Sequence, residues 1–390
     1  MLSPFKDPIY VTRPLLPDAQ KVNQKINEIW KSKWVTNNGQ QHKELEIQLQ
    51  EYLNVDHISL FNNGTLALLL GLKALNLKGE VITTPFTFPA TVQALDWNGL
   101  TPVFCDIDSN TLNIDANKIE ALITENTSAI LGVHVFGNPC DVYKINEIAE
   151  KYNLKVIYDG AHVFGTTVDG KPIGSFGDMT MFSFHATKLF NTVEGGALTV
   201  NDKNLHQKLN LLKNFGLASP EDVVLSGLNA KMNEVQAGIG LEVLKLVDEE
   251  RLKRDKIKQT YERKLAGIPG IRVLTTLQNE CSSYQYFVIE IDREKYGRSR
   301  DWVHEELNKY NVFTRKYFYP LCSDFEWYKH LESAQPKNLP KAQKSVNQVL
   351  SIPFYGELEL ESAEKICAIL KEIHVGFLEE TEYQLGGDIL

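Results

Sequence analysis

The chain has 390 residues, 43% of them hydrophobic and 23% charged, with a formal net charge of -9. That length exceeds a usual single domain and predicts a large and a smaller domain, 1–255 and 256–390. The acidic balance opposes a nucleic-acid interface, and no window approaches eighteen apolar residues, so neither nucleic acid nor a membrane is an expected partner.

The opening stretch "MLSPFKDPIYVTRPLLP" holds no apolar core of signal length. Cys105, Cys140, Cys281, Cys322 and Cys367 are odd in number, dispersed and without a Cys-x-x-Cys pair. Neither a disulfide framework nor a metal site is expected; buried reduced thiols in a cytoplasmic protein are.

Val22, Ile26, Ile29 and Trp30 recur at helical spacing over 18–32, and "TNNG" at 36–39 then reads as a loop. A helix resumes over 42–53. Strands follow at 57–61, 80–84, 102–107, 128–136 and 155–159, separated by helices at 65–75, 89–95, 115–123 and 140–152. Such alternation predicts βαβ units and a mostly parallel sheet covered on both faces. A strand is expected at 179–184 and one helix over 231–252, with a charged continuation to about 264. The smaller domain then holds a strand at 283–292, a helix at 299–310, a strand entering a turn at 312–320 and a last helix at 361–374. The tail after 376 shows no clear pattern.

In open parallel sheets ligands sit at the carboxyl ends of the strands, so the turns there carry the search. "KVIYDGAH" closes an apolar strand on Asp159, which reads either as a turn or cap residue or as a buried carboxylate facing a cation such as a pyridinium. "NNGTLAL" turns at Gly64 and Thr65 into a helix whose free N–H groups suit a phosphate, although strand–Gly–helix turns are common. In "PFTFPAT", Phe88 lies nearer the next helix than Phe86 and is the better ring to stack on a flat cofactor, the alternative being a core position. "SFHATKLFNTVEGGALTV" sets Lys188 after an apolar strand, beside Ser183 and His185, with Gly195 and Gly196 permitting close approach of backbone to ligand. An isolated lysine is usually solvated, but one in such a pocket can attack a carbonyl and form a Schiff base. A phosphate turn, a stacking aromatic, a strand-end aspartate and a strand-end lysine in this order describe a pyridoxal-phosphate site.

"NNGTLAL", "PFTFPATVQA", "YDGAHVFG", "SFHATKLFNTVEGGA" and "GLNAKMNEVQAGIG" resemble, in order, the motifs of the DegT-like sugar-nucleotide aminotransferases. The resemblance covers at least residues 10–375. It implies the aspartate-aminotransferase-like α/β fold (fold type I), pyridoxal 5'-phosphate and a homodimer with its sites at the interface. By the same resemblance Lys188 bonds the cofactor, Asp159 faces the pyridine nitrogen, and Phe88 stacks on the ring. Gly64, Thr65 and Ser183 hold the phosphate, and Asn229 reaches it from the partner subunit. His162 stands where most members carry glutamine, beside the ring hydroxyl, and Lys231 where many carry arginine. Because some members become dehydratases when this lysine is histidine, Lys188 favours transamination.

"VTRPLLP", "WKSKWVTNNG" and "RKYFYPL" resemble a subgroup that moves an amine from L-glutamate to C4 of a dTDP-linked 4-keto-6-deoxy sugar, as in O-antigen biosynthesis. Amination at C3 is the nearest alternative, and a non-catalytic regulatory protein on the same fold is the alternative of another class. His185, Lys231, Arg315, Lys316, Tyr317 and Tyr319 are candidate contacts to the nucleotide sugar; the last four read equally as an edge strand with a solvated cationic pair.

Overall fold

The computed structural model describes residues 2–36, 38–274 and 280–387, without the side chains of 280, 281 and 376–387. Helix α1 (Ala19–Ser32) starts where the Asp18 carboxylate accepts the Gln20 N–H. Helix α2 (Gln40–Leu53) begins at Gly39, which carries no side chain to cap it. Its first N–H groups are satisfied from a distance: the buried Glu234 carboxylate accepts Gln41 N–H at 2.8 Å and His42 N–H at 3.0 Å. A negative charge at a helix N-terminus also complements the helix dipole, worth about 0.3–1 kcal/mol and more when partly buried. Asn37, in the expected 36–39 loop, lies outside the described residues.

Strand β1 (His57–Phe61) leads through the Asn63 cap into α3 (Gly64–Ala74). Then come β2 (Glu80–Thr83), α4 (Pro89–Asp96), β3 (Thr101–Phe104), α5 (Ala116–Ile119), β4 (Thr127–Val133), α6 (Val142–Tyr152) and β5 (Lys155–Asp159). Strands β6 (Met179–Ser183) and β7 (Gly196–Val200) and helix α7 (Lys203–Leu212) follow. The seven strands form one sheet in the order β1-β7-β6-β5-β4-β2-β3. Only β7 runs against its neighbours, pairing antiparallel with both β1 and β6. The carboxyl ends of β1, β2, β4, β5 and β6 therefore share one edge. Neighbours along each strand enter opposite cores: Ile82, Ile130, Tyr158 and Phe182 on one face, Val81, Leu131, Ile157 and Met181 on the other. Burial on both faces is why these strands read as continuous apolar runs.

The segment expected as one helix over 231–252 is two, α8 (Glu234–Leu244) and α9 (Val247–Leu265). Asn233 and Gln236 form a capping box that fixes the start of α8 and keeps residues 231–233 extended. A smaller antiparallel sheet of β8 (Ile271–Val273), β9 (Phe287–Ile291) and β10 (Val349–Ile352) packs with α9, α10 (Arg300–Lys309) and α11 (Leu360–Gly387). Helix α11 continues well past 376, where the sequence pattern fades. No strand forms at 312–320. The segment makes isolated bridges, Val312 to Ile9 and Arg315 to Ser351, before turning at Tyr317–Phe318, where Tyr319 N–H donates to Lys316 O at 2.7 Å.

Phe86, Val92, Phe104 and Phe136, on the large-sheet strand ends and the segments that follow them, pack with Val288, Phe318, Leu321 and Val349 from the rest of the chain in a further core. Cys105, Cys140, Cys322 and Cys367 are free and buried; the Cys281 side chain is not among the described residues. Among the described residues no helix is long and apolar enough to cross a membrane, and no group of three metal-ligating side chains forms.

Candidate active site

Asp159 closes β5 and is buried. Its Oδ2 accepts the Thr91 hydroxyl at 2.7 Å and its Oδ1 the Ala161 N–H at 3.0 Å; Thr91 is itself 2.8 Å from the Thr87 hydroxyl. Burial raises its carboxyl above the usual range, opposed by those two donors and by the charge of Lys188. Lys188 follows β6 on a loop gripped by Gln285, whose Oε1 accepts Leu189 N–H at 2.8 Å and whose Nε2 donates to Thr187 O at 2.9 Å. Burial lowers the Lys188 amine to about 8, while Asp159 and Tyr317 oppose that shift. Such an amine is largely protonated at neutrality yet readily freed, as a nucleophile or proton carrier requires. Its Nζ lies 5.7 Å from the centroid of Tyr286, which packs 5.3 Å from Tyr317.

His162 is buried, its ring nearly parallel to those of Phe136 and Phe318 at centroid distances of 6.5 and 6.0 Å, with Tyr286 edge-on at 5.0 Å. Its Nδ1 accepts the Phe136 N–H at 3.3 Å. Burial, with Lys188 and His134 adding, holds the ring well below its ordinary pKa, so the imidazole is neutral and its proton sits on Nε2. Phe136 is held at φ 56°, a conformation uncommon for a bulky residue, and this presents its N–H to the ring.

At the head of α3, Gly64 lies against Ser183: a Cβ on Gly64 would stand 3.2 Å from Ser183 Cβ. The exposed Thr65 follows, so the first N–H groups of α3 lie beside two hydroxyl-bearing residues, an arrangement suited to a phosphate. Gly195 and Gly196 differ from expectation. A Cβ on Gly196 would meet Gly64 N at 2.5 Å and one on Gly195 Thr192 Oγ1 at 2.0 Å, so both admit neighbouring protein and not a ligand.

A cavity of about 780 Å³ opens beside this group and is lined by Phe88, Thr187, Arg315 and Tyr317 among others. Phe88, 57% exposed at the start of α4, is the accessible ring, whereas Phe86 is fully buried against Phe136 and Phe318. The remaining expected contacts separate. Arg315 is exposed and has no ion-pair partner among the described residues. Lys316 pairs with Asp301 at 3.0 Å, and the Tyr319 ring lies between Lys316 and Arg300 at 5.5 and 5.7 Å. His185, exposed, lies 2.9 Å from the Thr187 hydroxyl. Asn229 and Lys231 hold each other at 2.8 Å on a segment bridged to Phe61, at the same sheet edge. Thr91, Gln285 and Tyr286 escaped the sequence reading; a lone glutamine entering the apolar run "YFVIEI" was the available signal.

The fold and the site define an enzyme built on a sheet-edge lysine with a lowered pKa, near a buried carboxylate and a helix-headed anion cradle. The chain belongs to the DegT/DnrJ/EryC1/StrS aminotransferase family, which it matches over residues 17–371. It is 45% identical over 365 residues to a dTDP-4-amino-4,6-dideoxy-D-glucose transaminase of Escherichia coli, covering 93% of this chain and 98% of that one. The crystal structure of DesI in the presence of its TDP-sugar product superposes with a TM-score of 0.92 at 35% identity, over 98% and 97% of the two chains. The PLP form of the putative sugar aminotransferase Spr1654 from Streptococcus pneumoniae does so at 0.86 and 27%, over 94% and 99%.

Proposed function

We propose that this aminotransferase moves an amino group from L-glutamate to C4 of a dTDP-linked 4-keto-6-deoxy sugar, giving dTDP-4-amino-4,6-dideoxyglucose, with pyridoxal 5'-phosphate as cofactor. The observation that carries the reading is the depressed Lys188 amine near buried Asp159, next to a cavity lined by Thr187 and by Arg315, which has no ion-pair partner among the described residues. The 45% identity to an enzyme named for that sugar supports C4 over C3.

The residues fit the cofactor. The cradle at Gly64, Thr65 and Ser183 suits its phosphate, where any larger residue at 64 would crowd Ser183. Phe88 offers a ring face, and neutral His162 has a donor on Nε2 for the ring hydroxyl. The bound cofactor supplies an electron sink conjugated to the migrating amine. Asp159 holds the proton on the ring nitrogen, and the Thr91 hydroxyl keeps that carboxylate in place. Lys188 Nζ takes a proton from Cα of the donor and later returns one to the sugar carbon that receives the amine. Gln285 fixes the loop that carries this lysine. His185, Arg315, Lys316, Tyr317 and Tyr319 are assigned to the nucleotide sugar, with Arg315 as the cation free to meet its diphosphate.

Asn229 is assigned to the phosphate of a second subunit in a homodimer, and Lys231, which it holds, to the nucleotide sugar. Exposed Trp34, Val35, Val193, Phe215 and Leu228 surround the start of α8 and the 229–231 segment, an apolar surface suited to a second copy. The domain division near 255 falls inside α9, between a core that ends at Val247 and one that begins at Ile257. A cytoplasmic setting accords with the free cysteines.

The test is spectroscopic. Protein supplied with pyridoxal phosphate should show a visible absorption band that falls on addition of L-glutamate, and the dTDP-linked keto sugar should restore it. No band, or no response to glutamate, would overturn the reading; NMR of the product separates C4 from C3.

A further inference from the structure

The end of the cavity remote from Lys188 has an aromatic floor that the reaction itself does not use. Residues 9–11 form a strap clamped by backbone hydrogen bonds: Ile9 N–H to Asn311 O at 2.8 Å, Phe313 N–H to Ile9 O at 2.8 Å, and Phe354 N–H to Val11 O at 3.0 Å. Because the backbone does the holding, the Tyr10 side chain is free to lie on Phe313, with ring centroids 5.3 Å apart and planes at 27°. Tyr10 remains 52% exposed, and both rings line the cavity. One face of Tyr10 is covered by Phe313, leaving a flat aromatic face turned to open space.

Phe313, Arg315 and Tyr317 follow one another along the same cavity wall. The wall thus runs from a stacked aromatic ledge, past an unpaired guanidinium, to the phenol packed on Tyr286 beside Lys188. Tyr319, the other exposed ring here, has its surroundings taken by Arg300 and Lys316, and Lys316 is engaged by Asp301.

We propose that the Tyr10–Phe313 ledge is the nucleobase subsite of this enzyme: the base of a nucleoside diphosphate stacks on Tyr10 while Arg315 takes the diphosphate. This rests on the nucleotide-sugar reading above. Aromatic stacking tolerates any base, since each offers a π face, so the ledge supplies affinity and reach more than base choice.

The experiment is calorimetric titration of the cofactor-loaded protein with dTDP and, separately, with inorganic pyrophosphate. Tyr10→Ala should weaken dTDP binding by between about 5- and 150-fold, the range of a lost base–aromatic stack, and leave pyrophosphate unchanged. Tyr10→Phe should keep dTDP affinity within about twofold, because the stacking face survives. Arg315→Gln should weaken both probes. Wild-type affinity for dTDP in Tyr10→Ala would overturn the ledge while leaving the nucleotide-sugar reading intact. Equal loss of both probes in Tyr10→Ala would show the strap to be only structural and would also overturn it. A wild-type protein that binds neither probe would remove the nucleotide-sugar reading, and the ledge with it.

Discussion

Lys188 is costly to the fold, and the cost has a defined dependence on pH. Its amine is lowered from 10.5 to about 8, mainly by burial. A shift of that size corresponds to about 3 kcal/mol of disfavoured charge. The folded-state pKa lies below the unfolded one, so between about 8 and 10.5 the unfolded chain binds more protons and stability rises with pH. Below about 8 both states are protonated and the full penalty applies. Lys188→Met keeps the unbranched length and deletes the ammonium. The cofactor-free variant should therefore be more stable than cofactor-free wild type by up to about 3 kcal/mol at pH 7, with the advantage vanishing as pH passes 10. Asp159 keeps its Thr91 and Ala161 donors in the variant. Urea denaturation of both proteins at several pH values measures the difference. A variant less stable than wild type at pH 7, or a gain that does not change with pH, would refute the argument that burial of the charged amine dominates.

Asp159→Asn keeps the shape and one acceptor oxygen, turns the other into a donor, and removes the charge assigned to hold the ring-nitrogen proton; turnover should fall by at least about 100-fold with the fold intact by circular dichroism. Gln285→Leu removes both hydrogen bonds that grip the Lys188 loop, leaving Leu189 N–H and Thr187 O unpaired. It should cost about 1–3 kcal/mol in urea denaturation and slow the absorbance response to L-glutamate.

The sheet was readable because its strands are buried on both faces, so short apolar runs bounded by turns left little choice of element. Asp159 and Lys188 stood out for a related reason: one closes such a run and the other follows one by a short loop. Thr91 and Gln285 were not. Thr91 meets a carboxylate 68 residues away and Gln285 a loop 96 residues away, and no local pattern carries that information. The stretch 312–320 misled because aromatic and β-branched residues favour strands, whereas here they line a cavity and touch the sheet only at single bridges. Gly195 and Gly196 were correctly seen as places of close approach, but what approaches is the chain itself at Thr192 and Gly64. The break between α8 and α9 is marked by no proline or glycine, so an apolar run continuing into a charged one read as a single helix.

The strap also sets an order on how the enzyme comes into being. All seven strands of the main sheet lie between His57 and Val200, so Asp159 and Lys188 reach their shared edge from a contiguous middle portion of the chain. Residues 9–11 leave the ribosome long before their backbone partners at 311, 313 and 354. During synthesis Lys188 can thus be placed before the wall beside it exists, and residues 9–11 wait for partners made about three hundred residues later to clasp them.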